Sequence, residues 1–108
     1  MMDDYIQAYT TTATREDAQH IADALVERQL AGCVQIVGPV VSTYRWHGKI
    51  ECAEEWLCVI KSARHLYAEL ERAIVAQHPY DTPEIIAVPM VAGSQRYLQW
   101  LSQELQQG

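Results

Sequence analysis

The sequence predicts an α/β (α+β) sandwich of the ferredoxin-like type, with elements in the order β, α, β, β, α, β, an additional C-terminal helix, and a long hairpin between the second and third strands. Three observations carry this expectation. Short β-rich runs alternate with stretches of helical period. A long β-branched segment doubles back at Trp46-His47-Gly48-Lys49, which joins two strands as a hairpin. Right-handed crossovers around each strand-helix-strand unit then make this architecture the economical way to pair the strands. One domain over residues 1–108 is expected, because two cores in a chain of this length would each be marginal.

Taken in order, residues 5–12, YIQAYTTT, set tyrosine, isoleucine and threonine in near alternation, the pattern of a first strand. Thr14, three residues before Asp17, reads as a capping arrangement for a helix. Its stripe is Ala18, Ile21, Ala22, Leu25, Val26 and Leu30, with a polar gap at Gln29 and Gly32 as the expected stop. Residues 33–46, CVQIVGPVVSTYRW, predict a long bent strand with a bulge or kink where Gly38 and Pro39 interrupt the ladder. After the turn at His47 and Gly48, residues 50–62 return. Trp56, Cys58 and Ile60 take one face, and Leu57, Val59 and Lys61 the other.

A second helix is expected from about Arg64 to His78, with Ser62 as its cap, Leu66, Leu70, Ala73, Ile74 and Gln77 at helical spacing, and Pro79 as its terminator. The run EIIAVPMV, residues 84–91, reads as a short strand whose Pro89 must face an edge or a bulge. The last helix starts near Ser94, with Tyr97, Leu98, Leu101 and Leu105 as its stripe and Trp100 beside it.

Composition narrows the function classes. Eight basic against 14 acidic residues give a net charge of -6, with no basic track to neutralise phosphates, so neither nucleic acid nor an anionic membrane is an expected partner. Cations suit this balance better. Cys33, Cys52 and Cys58 are odd in number and sparse, which predicts reduced thiols. The opening MMDDYIQAY carries acids where a signal peptide carries bases, and no apolar run approaches the roughly 18 residues of a membrane span. A cytoplasmic protein is expected. There is no phosphate-binding glycine loop, HExxH or CxxC, and no local nucleophile with a base, so no enzyme activity is expected.

The predicted topology sends the loop after the first strand, the hairpin tip and the loop before the last strand to one end. TTTATRE, YRWHGKIE and HPYDTPE thereby become parts of one candidate site, with Thr10 to Thr12 approaching the prolines. In HPYDTPE the prolines fix a short connection that carries Tyr80, Asp81 and Glu84, for rigidity alone or for a cation or small ligand. In YRWHGKIE, Tyr44 and Trp46 share a strand face opposite Arg45, Gly48 permits the turn, and the aromatics serve a subunit contact or, with Arg45 and Lys49, grip an anionic small molecule.

Imidazole and thiol donors are the remaining candidates. Cys33 is either a thiolate ligand or a small filler at a tight junction. His78, at a helix end before Pro79, either hydrogen-bonds there or meets a metal or ligand, whereas His47 is read as a solvent-facing turn residue. Strands of about 13 residues outrun the layer that two short helices cover, so a partner subunit is expected to cover the excess.

Taken together, AGCVQI at 31–36, STYRWHGKIE at 42–51, IKS at 60–62, HPYDTPEI at 78–85 and YLQW at 97–100 resemble the CutA divalent-cation tolerance family over nearly the whole chain. The resemblance implies a ferredoxin-like subunit in a tight homotrimer with architecture similar to the PII signalling proteins. It also implies tolerance to divalent metals, copper above all, with no cofactor required. Family members credited with copper binding present a cysteine at the end of the first strand and paired histidines before the PY segment. The matching places here hold Thr10, Gln77 and His78. The expected function is a trimeric metal-response protein, with a metal set of Cys33, His78 and Glu84 at intersubunit clefts walled by Tyr44, Trp46, His47, Gly48, Lys49, Tyr80 and Asp81. The alternative is a PII-like regulatory module that binds a small ligand or a protein in the same clefts without metal.

Overall fold

The computed structural model describes residues 4–107. Its elements are β1 (Tyr5–Thr12), α1 (Arg15–Glu27), β2 (Cys33–Trp46), β3 (Lys49–Ala63), a 3-10 turn (Arg64–Leu66), α2 (Tyr67–Gln77), β4 (Ile86–Pro89) and α3 (Gln95–Glu104). The four strands form one antiparallel sheet in the order β2-β3-β1-β4, the ferredoxin-like arrangement the sequence predicts.

Strand alternation divides the sheet into two unlike faces. Ile6, Ala8 and Thr10 of β1 pair with Ser62, Ile60 and Cys58 of β3, and all six are buried on the side of the helices. There they join Ala18, Ile21 and Leu25 of α1 and Leu70, Ala73 and Ile74 of α2 in one core. The opposite face carries Leu57 and Val59 of β3, Val37 of β2 and Ile86 and Val88 of β4, with no helix of the described residues over its middle. α3 serves the end of the sheet where β1 begins. Gly32 makes room for it there, since a Cβ at that position would stand 2.5 Å from Leu101 Cδ1.

The helix termini correct two expectations. Thr14 does cap α1, accepting from the Asp17 amide at 3.0 Å. The stop, however, is not Gly32. The chain turns left-handed at Gln29, with φ 58, and the Leu30 amide bonds back to the Leu25 carbonyl while the Gln29 amide bonds to Val26. This is a Schellman closure with glutamine in the place glycine usually takes, and it lets Leu30 enter the core. Ser62 likewise caps no helix. It lies in β3, and its hydroxyl donates to the Leu30 carbonyl at 2.7 Å, while α2 begins only after the 3-10 turn and has no side-chain cap.

The bulge falls where it is expected. Val37 pairs with Leu57 and Val40 with Glu55, so Gly38 and Pro39 together stand opposite Trp56. The indole of Trp56 occupies the space a side chain at Gly38 would need, with Cε3 2.5 Å from an added Cβ. The extra residue restores Ser42, Tyr44 and Trp46 to the helix-free face. His47 (φ 50) and Gly48 (φ 77) then close the hairpin with two positive φ values, as a type I′ turn requires. β4 is the sheet edge, which accommodates Pro89, and it is shorter than the predicted run of residues 84–91.

Buried in the core, Cys58 has its thiol pushed up to about 11 by loss of hydration. A raised folded-state value means the stabilisation is complete below the ordinary thiol range and is lost as pH climbs through the folded value. The urea midpoint will therefore fall between about pH 9 and 11, and Cys58→Ala will remove part of that fall while lowering the neutral-pH midpoint. A decline of equal size in the variant would assign it to other groups.

Candidate functional site

The helix-free face ends in a cleft of about 620 Å³ at the shoulder of the hairpin. Thr11 comes from the end of β1, Ser42, Thr43, Tyr44 and Trp46 from β2, Glu55 from β3, and Tyr80, Asp81, Thr82 and Glu84 from the segment between α2 and β4. The three segments expected to meet at one end each contribute, which follows from the alternating strand directions.

His78 fastens the 78–84 segment to the sheet. Pro79 ends α2 and leaves His78 extended, at φ -84 and ψ 133, so that its ring turns back toward β1. The Tyr80 amide donates to His78 Nδ1 at 3.1 Å. Since Nδ1 accepts, the proton sits on Nε2, which donates to the Thr11 carbonyl at 2.8 Å. Both ring nitrogens are occupied, the ring is buried, and it lies 4.8 Å from that of Tyr80.

Tyr80 passes this order on to Glu55, donating its hydroxyl to Oε2 at 2.7 Å. Burial first, then the Glu55 hydrogen bond and charge, hold the Tyr80 hydroxyl well above the usual phenol range. Glu55 itself is only 8% exposed, in the row Glu51, Ala53, Glu55, Leu57, Val59 that faces away from the helices. It is the principal cleft residue sequence reading missed. Its signal was an acid continuing an apolar row on one strand face.

The expected metal donors do not gather within one chain. Glu84 lines the cleft, whereas His78 stands behind its lining and holds Thr11 and Tyr80 with both nitrogens engaged. Cys33 starts β2 opposite Lys61, four residues before Val37, which puts it about 13 Å along the strand from the row that reaches Thr11. Thr10, in the place of a copper-binding cysteine, points to the helix side and is fully buried. Among the described residues no group of three or more His, Cys, Asp or Glu side chains is placed to hold a metal ion. The donor set therefore does not fit a metal centre built by a single subunit. Of the expected wall, Tyr44, Trp46, Tyr80 and Asp81 line the cleft, while His47, Gly48 and Lys49 lie beyond it at the hairpin tip.

A four-stranded ferredoxin-like sheet with an overlong β2-β3 hairpin and a polar, aromatic cleft at its shoulder defines a class of small α+β domains. Similarity then specifies the family. The CutA1 divalent ion tolerance protein family matches residues 6–104, and the chain belongs to it. It is 43% identical over 91 residues to the divalent-cation tolerance protein CutA of Thermus thermophilus, covering 84% of this chain and 88% of that one. It is 41% identical over 96 residues to the chloroplastic protein CutA of Arabidopsis thaliana, covering 89% of this chain but spanning only about half, 53%, of that relative. The crystal structure of CutA1 from Oryza sativa superposes with a TM-score of 0.93 at 35% identity, covering 96% of this chain and 95% of that one. Among the described residues no helix is long and apolar enough to cross a membrane.

Proposed function

We propose that this single-domain protein is a homotrimeric divalent-cation tolerance protein of the cytoplasm that acts by binding rather than catalysis, through the cleft at the hairpin shoulder. The observation that carries the reading is the convergence of separate segments on one cleft that, among the described residues, holds Glu55, Asp81 and Glu84 and no basic side chain. Beside it lie an apolar sheet face whose middle no helix covers among the described residues and a hairpin whose residues 43–52 are all exposed, which a neighbouring subunit would cover. Relatives carry divalent-cation tolerance in their names, and the family resemblance in the sequence implies copper above all, so copper is the ion to test. In this reading a cation is met at the cleft carboxylates and shared between subunits.

The test is titration of tag-free, reduced protein with copper, repeated on Glu84→Gln, Cys33→Ser and His78→Ala. Binding should weaken about tenfold in Glu84→Gln, the order expected for removing one charged partner, and stay unchanged in Cys33→Ser. Loss of copper in Cys33→Ser with none in Glu84→Gln would place the ion at the other end of the sheet.

One observation favours a second reading, a PII-like module that takes a small organic ligand or a protein segment without metal. The cleft's 620 Å³ lies within the roughly 300–1,000 Å³ of small-molecule sites and far exceeds an ion's needs.

A further inference from the structure

We infer that the cleft takes an organic ammonium cation, an amine-bearing small molecule that sets a charged nitrogen against Glu55 and its alkyl chain against Trp46 and Tyr44. The inference rests on the reading of the cleft as a small-ligand site and names the class of ligand.

Glu55 is the first ground. It is more than nine-tenths buried and lines the cleft, yet its one hydrogen bond among the described residues comes from the neutral Tyr80 hydroxyl to Oε2. Among the described residues the other carboxylate oxygen has no protein donor, and no basic side chain lines the cleft beside it. That oxygen keeps an opening to the cleft, since among the described residues Thr10 Oγ1 is the one fully buried side-chain nitrogen or oxygen left without a partner, so it is an accessible anionic acceptor for a ligand's N–H. The cleft wall offers no compensation, since Asp81 and Glu84 add charge of the same sign.

The second ground separates an organic cation from a bare ion. A divalent ion requires several donors converging at fixed short distances, and no group of three or more His, Cys, Asp or Glu side chains is so placed among the described residues. An ammonium needs only acceptors at hydrogen-bond distance, which Glu55 and the hydroxyls of Thr11 and Ser42 provide. The rings of Trp46 and Tyr44 supply what an ion cannot use, an apolar surface for methylene groups and π faces for the charge. The mixture of exposed aromatics and buried acid therefore suits a cation with a carbon body.

Spermidine is the probe, titrated calorimetrically into the assembled full-length protein at fixed ionic strength. Magnesium chloride serves as the charge control and triethylene glycol as the neutral-chain control. Spermidine should bind saturably with neither control competing. Glu55→Gln, which keeps shape and an acceptor for Tyr80, and Trp46→Ala should each weaken it by about tenfold, with unchanged circular dichroism and assembly. Equal competition by magnesium, or undiminished affinity in Glu55→Gln, would overturn the inference by reducing it to acidic screening. Absence of binding would also overturn it, as when a neighbouring subunit's basic side chain already sits on Glu55. Should spermidine fail while copper binding remains sensitive to Glu84→Gln, the ligand class is wrong and the cleft reading survives. Failure of both removes both.

Discussion

His78→Ala should cost about 2–4 kcal/mol of stability, the range for stripping two bonds from a buried junction and leaving their partners unpaired. The ring is the sole fastening seen between the Thr11 carbonyl and the Tyr80 amide, groups 69 residues apart in the chain. Alanine leaves that carbonyl and that amide without their partner and opens a ring-sized space beside Tyr80. The loss extends to the cleft, because Tyr80 is the donor that positions Glu55. Two further variants divide the effect. His78→Asn sets an amide oxygen near the place of Nδ1 and recovers the bond from Tyr80, while His78→Gln carries an amide nitrogen toward the place of Nε2 and recovers the bond to Thr11. Each should regain part of the urea midpoint. A loss under about 0.5 kcal/mol in His78→Ala, the level of an ordinary surface change, would show that the ring is no fastening.

That role explains how much of the site the sequence disclosed. A histidine at a helix end before proline was legible as either a hydrogen-bonding group or a ligand, and only the pairing of β1 with the returning segment decides between them. The strand bounds were legible because alternation and β-branching persist through β1, β2 and β3, and the Gly38-Pro39 interruption marked the bulge. Helix ends were less so. Gln29 adopts a conformation that its residue type disfavours, imposed by core burial of Leu30, and Gly32 is small because Leu101 presses on it. Ser62 resembled a cap in one dimension and is a strand residue bonded across to Leu30 in three. Cys33 and His78 illustrate the same limit: both lie next to element ends, but the register puts those ends at opposite ends of the sheet. Glu55 was hidden by its neighbour Glu54, since a pair of acids in a strand reads as solvated until the register shows which one faces the cleft.

Val37→Asp combined with Ile86→Asp should turn the proposed trimer into single chains without unfolding the subunit. The two side chains stand on β2 and β4, at opposite edges of the sheet face turned away from α1 and α2, and are 48% and 51% exposed in one chain. Carboxylates there remain hydrated in a lone subunit, so its core and helices are undisturbed. In an assembly that covers this face the same groups would lose water with no basic partner, and each aliphatic side chain removed forfeits roughly 1.5–3 kcal/mol of burial. Sedimentation should therefore show the mass of one 12.3 kDa chain in place of three, with circular dichroism preserved and the thermal midpoint lowered. Val75→Asp on α2 is the control, since it is similarly exposed at 54% but lies on the helical side. If the double variant keeps the mass and melting point of the parent, the apolar face is not where subunits meet. If the control dissociates as well, added charge rather than position is responsible. Separation with intact subunits would also account for the length of the hairpin: its outer half is exposed in its own chain, and in the proposed trimer a neighbour would cover it.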